Sequence, residues 1–188
     1  PVRIPLAGSA NKQGRVAGAN AAGSSMLFKG VLGTSIVKVG ALTLAKTGLS
    51  ESEAEKLGMQ YKCVFVPGFS NATYYPDAEP LVLKLTVEVP TGKLLGAQGI
   101  GRKGVDKRID VLATALYAGL TVFDLENLDL AYAPPYASAK DPVILGGMIF
   151  ANILRGSVDS ILPAEVAPYL AAPGDAGGPG GRTHAGND

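Results

Sequence analysis

The stretch Pro80–Gly101, PLVLKLTVEVPTGKLLGAQGIG, decides the fold. Two apolar, β-rich runs flank Pro90-Thr91-Gly92, whose residue types suit a tight turn, so the segment reads as a β-hairpin. Its arms are too apolar to stand alone in water, and the neighbouring segments supply the rest of a sheet. Upstream, MQYKCVFVPG alternates into an apolar run and predicts a strand over 60–66. Further back, GTSIVKVGALTLAKTGLS holds two β-rich runs, Ser35 to Val39 and Leu42 to Thr47, parted by Gly40-Ala41; they are adjacent strands or one bent strand.

Helical signals surround these strands. In LSESEAEKLG, Ser50 and Glu53 have the spacing of a capping box and Gly58 marks a stop. Val105, Ile109, Leu112, Ala113 and Leu116 recur at helical spacing in GVDKRIDVLATALYAGL, with Gly119 at the end. A shorter helix is expected over 122–127. Asp141 is placed as an N-cap with Pro142 at the first helical position, opening a helix that ends at Arg155-Gly156. Nearer the start, residues 1–7 read as the end of a strand, followed by a turn and a helix from Ala10 to Ala22. The order of elements predicts an α+β fold, an antiparallel sheet with its helices gathered on one side.

With 188 residues the chain has material for one main domain, and 47% hydrophobic content provides its core. Mean hydropathy is +0.22. Seventeen basic against 16 acidic residues leave a net charge of +1, which supplies no electrostatic footprint for nucleic acid or an anionic membrane. No apolar run reaches the roughly 20 residues that span a bilayer, and no signal peptide is recognisable, so a cytoplasmic location is expected. A single cysteine, Cys63, excludes an internal disulfide and a cysteine-built zinc site. The Gly- and Pro-rich segment from Pro173 onward is expected to be disordered. It holds the only histidine, His184, where neither a positioned base nor a metal ligand is expected. The opening at Pro1, inside a patterned segment, suggests a piece of a longer protein.

Several segments could carry chemistry. Cys63, inside KCVFV, reads as a buried core thiol. The glycines of GAQGIGRKG match neither nucleotide-loop spacing and read as a strand end with a turn. Arg102, Lys103, Lys107 and Arg108, with Asp106 and Asp110, read as a charged helix start that is solvated or interfacial. In IPLAGSANKQGR a strand leads into a helix whose free N–H groups can face a partial negative charge, or serve only as a connection. Tyr74 and Tyr75 in NATYYPDAEP, and Tyr132 and Tyr136 in AYAPPYASAK, are loop phenols, which on the residues alone read first as interface anchors and second as chemical groups.

Five ordered motifs, PLAGSANKQGR, GTSIVKV, NATYYP, GVDKRIDVLATAL and YAPPYASAKDPV, together resemble the pyridine nucleotide-disulfide oxidoreductases. The resemblance is nearest to the branch of coenzyme A-disulfide reductase, NADH oxidase and persulfide reductase, and runs from about Pro1 to Gly156. It implies that residues 1–30 end an FAD-binding domain and that residues 31–156 form the C-terminal dimerisation domain. Residues 157–172 would be a linker or the start of a broken-off rhodanese-like domain, and 173–188 a disordered tail. FAD, with NADH or NADPH as donor, is the implied cofactor of a homodimeric parent that reduces a coenzyme A-type disulfide or persulfide. NADH oxidase or peroxidase chemistry, or a stand-alone dimerisation module, are the alternatives.

Cys63 does not match the family's redox cysteine, so this chain by itself is expected to be inactive. The resemblance puts Leu6 and Ala7 at the flavin's pyrimidine edge. It sends the loop of Tyr132 to Tyr136, Pro134 included, across the two-fold axis to the partner's flavin. Pro134-Pro135 and Lys140 stand where another branch has its His-Pro and Glu acid-base pair; here Tyr74 and Tyr132 are the implied catalytic residues. Ser9 stands where the family often has proline.

Overall fold

A computed structural model describes residues 4–166, and His184 and the Gly-rich tail lie outside them. The hairpin is present: β4 (Pro80–Glu88) and β5 (Leu94–Gly101) pair antiparallel, with Leu83 opposite Gly99 and Leu85 opposite Ala97. Gly92, at φ 75°, closes the turn; a Cβ there would crowd Phe123, Leu154 and Val122 at 3.0–3.2 Å, so the site needs glycine for both backbone and space. The two upstream runs are separate strands, β1 (Ser35–Val39) and β2 (Leu42–Gly48), turning at Gly40 and Ala41. With β3 (Tyr61–Phe69) they complete a five-stranded antiparallel sheet of order β1-β2-β5-β4-β3.

β3 continues three residues beyond the expected Val66. As an edge strand it accommodates Pro67, which needs no ladder N–H on its open side, and Gly68 lies against Pro142, where a Cβ would come within 2.5 Å of the ring. The glycines of GAQGIG lie within β5 rather than at its end. Gly96 admits the backbone of Leu49, and Gly99 admits Val105 and Leu83 at 3.0–3.1 Å from its Cβ position. They are close-packing positions in a central strand, which is why their spacing matches no phosphate loop.

Strand alternation sorts the sheet into two faces. On the inner face Leu81, Leu83, Leu85 and Val87 are buried, each worth about 1.5–3 kcal/mol in removed apolar surface. They pack with Val105, Ile109 and Leu112 of α3 (Val105–Ala118) and Phe150 of α5 (Pro142–Leu154). The short α4 (Val122–Leu125), opened by a Thr121–Asp124 capping box, ends two residues before its expected limit and packs on α5. α3 and α5 thus gather on one side of the sheet. On the outer face Ser35, Lys46, Gln98, Lys84 and Phe65 form one row across all five strands. There α2 (Glu51–Lys56), with its Ser50–Glu53 capping box, pairs Glu51 with Lys84 and Glu53 with Lys46. Cys63 lies on the same face, buried, its sulfur 3.6 Å from the Thr86 hydroxyl. Burial pushes that thiol up, in keeping with an inert core residue.

At the N-terminal side, α1 (Ala7–Ala21) starts three residues earlier than expected and no strand precedes it among residues 4–6. Ser9 accounts for the difference. Its hydroxyl donates to the carbonyls of Leu6 (2.7 Å) and Ile4 (3.0 Å), bending the entry chain into the helix.

Candidate functional site

Two loops meet at one end of the sheet. The first, residues 70–79, joins β3 to β4, and its base is closed by paired bonds: Ser70 N–H to the Glu79 carbonyl (2.8 Å) and Glu79 N–H to the Ser70 hydroxyl (3.0 Å). Ser70 also donates to the Asn71 side-chain oxygen at 2.7 Å, orienting its amide toward the Pro76 carbonyl at 3.3 Å. The buried Asn71 therefore shapes the turn that presents Tyr74. The second loop, residues 126–141, joins α4 to α5, and Pro134 fixes it to the first by accepting from the Ala72 N–H at 3.1 Å. The Ser138 hydroxyl adds a long bond to the Asn71 carbonyl, 3.5 Å.

These ties bring Tyr74 and Tyr132 together although 58 residues separate them: their phenol oxygens share a hydrogen bond of 3.1 Å. Both rings remain accessible, Tyr74 at 75% and Tyr132 at 50% of full exposure. The bond to Tyr132 holds the Tyr74 phenol above its ordinary value. Raised in this way, the Tyr74 phenol keeps its proton at neutral pH and can donate to an approaching anion. Tyr75 and Tyr136 are exposed on the same loops but make no side-chain bond there.

The charged helix start corrects an expectation. Arg102, Lys103, Asp106 and Asp110 are exposed, whereas Arg108 is 1% exposed and forms an ion pair of 2.8 Å with the equally buried Asp141. Its Nε also faces the Asp141 carboxylate at 3.1 Å, Nη2 donates to the Ser70 carbonyl at 3.1 Å, and Nη1 to Gly104 at 3.0 Å. Asp141 in addition caps α5 through the Val143 N–H, 3.0 Å. The signal was present in the spacing: Val105, Arg108, Ile109 and Leu112 fall on one helical stripe, so Arg108 had to face the core. The sequence reading missed it because the five neighbouring charges suggested a solvated or interfacial helix start.

Leu6 and Ala7 lie elsewhere. Leu6 is the N-cap of α1, extended and without a side-chain cap, and the first turn holds no acidic residue. Its N–H groups remain open for an anion or a dipole. Both residues line an open cleft of about 950 Å³ between α1, the chain before β1, and Asp110, Thr114 and Tyr117 of α3. Tyr74, Tyr132 and Pro134 are not part of that lining. Among the described residues no cluster of three or more His, Cys, Asp or Glu could hold a metal ion, and no helix is long and apolar enough to cross a membrane.

Residues 34–143 match the family model for the pyridine nucleotide-disulphide oxidoreductase dimerisation domain. The chain is 45% identical over 154 residues to the NAD(P)H sulfur oxidoreductase (CoA-dependent) of Pyrococcus furiosus, covering 82% of this chain and 34% of that protein. It is 39% identical over 148 residues to the coenzyme A disulfide reductase of Staphylococcus epidermidis, covering 78% and 33%. Among solved structures, reduced CoADR-RHD of Bacillus anthracis superposes with a TM-score of 0.85 at 48% identity, covering 90% of this chain and 30% of that one. The NAD-dependent persulfide reductase of A. fulgidus gives a TM-score of 0.85 at 44% identity, covering 89% and 31%. The chain spans about a third of the length of the curated relatives it matches. By this match, and by an antiparallel sheet carrying α3 and α5 on one face, the chain belongs to the pyridine nucleotide-disulphide oxidoreductase family, of which it holds the dimerisation domain.

Proposed function

We propose that this chain is the C-terminal part of a homodimeric, FAD-dependent NAD(P)H:disulfide reductase acting on a coenzyme A-type disulfide or persulfide. The observation that carries this reading is the Tyr74–Tyr132 pair, two phenols hydrogen-bonded to each other on loops locked together. The names of the relatives point to the same substrates. In this reading residues 1–30 end the FAD-binding domain, 31–156 form the dimerisation domain, and 157–172 lead onward. The single cysteine is buried, which suits a cytoplasmic setting.

Open N–H groups without an acidic neighbour fit the electron-rich edge of a flavin, so Leu6 and Ala7 would hold that edge. When bound, the flavin supplies electron transfer from the pyridine nucleotide to the disulfide. This chain's own residues bind and move protons. Pro134 would contact the partner's cofactor from the second loop. Tyr74 and Tyr132 would hydrogen-bond the substrate sulfur and hand a proton to a departing thiolate, a transfer that needs no resting charge on the enzyme. The outer sheet face supports assembly with further protein: Val37, Val39, Leu44 and Ile100 are all exposed there as neighbours in the ladder, the kind of apolar patch that marks a protein contact.

The test is Tyr132→Phe and Tyr74→Phe in the full-length holoenzyme. Each should slow turnover with coenzyme A-disulfide by about a hundredfold or more, the scale of a lost general acid, while flavin content stays unchanged. Turnover at the parent's rate in both variants would remove the tyrosines from the chemistry.

A further inference from the structure

We infer that Arg108 is a positioning residue whose guanidinium sets the two tyrosine loops against each other; the inference deepens the function proposed above and rests on it. The geometry gives one side chain simultaneous hold of both loops. Nη2 reaches the Ser70 carbonyl at the root of the first loop, and Nε with Nη2 engages Asp141 at the end of the second. Nη1 returns to the Gly104 carbonyl, so the guanidinium is anchored to its own helix rather than floating between the loops. Gly104 lies close against that group, at φ 75°, and a Cβ there would collide with Nη1.

Stability alone is a weak account of such a group. A buried ion pair gains little over apolar side chains of similar size, because removing two charges from water offsets their attraction. What apolar side chains cannot do is satisfy the Ser70 carbonyl and a carboxylate in one fixed plane; the five donors of a guanidinium can. Ser70 is four residues from Tyr74, and Asp141 closes the loop that carries Tyr132. A displacement of either root therefore carries through the Asn71 and Pro134 contacts to the phenols, whose 3.1 Å separation leaves little latitude.

Oxidative coupling of neighbouring tyrosines, which joins ring carbons beside the hydroxyls, reports whether the two phenols are held within bonding reach, without any activity. In this chain, treated with peroxidase and hydrogen peroxide, peptide mass mapping should find a dityrosine link between Tyr74 and Tyr132, absent in Tyr132→Phe. Arg108→Lys keeps the charge but loses the planar fork, and should lower the yield of that link several-fold in protein whose circular dichroism is unchanged. Where Arg108→Lys fails to fold, the neutral pair Arg108→Gln with Asp141→Asn takes its place, since it leaves no buried charge unpaired. A folded variant that forms the link at the parent's yield overturns the inference, as does the absence of the link in the parent. A link that depends on Arg108 in a protein whose Tyr132→Phe holoenzyme turns over normally would leave the positioning intact and remove only the proposed chemistry.

Discussion

α1 and α3 are almost equal in length, 15 and 14 residues, yet they stand in opposite relation to the rest of the molecule. α3 buries Val105, Arg108, Ile109, Leu112 and Ala115 against the sheet. α1 buries only Ser9, and that residue is spent on the helix's own entry. The contrast follows from composition. A stripe of branched side chains every third and fourth residue gives α3 a face to bury, whereas α1 is built of alanine, polar residues and interior glycines that present no apolar ridge. Helix formation in α1 is thus local, resting on its own backbone and the Ser9 bonds.

The contrast can be broken most severely in α3. Ile109→Asp puts a carboxylate among Leu83, Val105 and Leu112, and should cost about 4 kcal/mol or more, seen as loss of the cooperative unfolding transition. Arg108→Ala strands the Asp141 carboxylate in the interior and should lower stability by about 3–5 kcal/mol in denaturant melts. Ser50→Ala, on the outer-face helix α2, removes the capping box and should cost about 1 kcal/mol. Its backbone and hydroxyl bonds hold the Glu53 carboxyl below the usual glutamate range. The contribution is therefore present above the unfolded-state value and lost as pH falls through the folded one. Glu53 is half exposed, so solvent screening keeps that part to a few tenths of a kcal/mol, and Ser50→Ala, which keeps the backbone bond and loses the hydroxyl one, should only lessen the slope of the acid limb of a stability–pH curve. The smallest effect belongs to α1. Gly14→Ala meets no atom within 4 Å and should add about 0.5–1 kcal/mol of local helix stability. Helicity should rise while the main melting temperature stays where it was; a shift of that temperature would show that α1 is coupled to the core.

Much of the fold is legible in local chemistry. The hairpin around Gly92, the Ser50–Glu53 box, Asp141 with Pro142, and the terminal Gly119 all act over four residues or fewer, and each element stands where the spacing placed it. The limits of α1 and β3 were less legible, because Ser9 bonds and an edge position decided them. At the candidate site the tyrosines were visible as loop phenols and their pairing was not. Arg108 carried a readable helical stripe, but its destination did not follow from charge pattern.

By itself the sequence determined the element types, the antiparallel character of the sheet, the buried Cys63 and the family, because turn, cap and alternation signals are short-range and the motifs recur in order. Only the tertiary structure decided that β5 lies at the centre of the sheet, that α2 holds the outer face, that Arg108 and Asp141 meet in the interior, and that Tyr74 touches Tyr132. Those outcomes join residues 33 to 58 positions apart. At such separations the packing of one sheet face chooses the partners, and local preference has no reach.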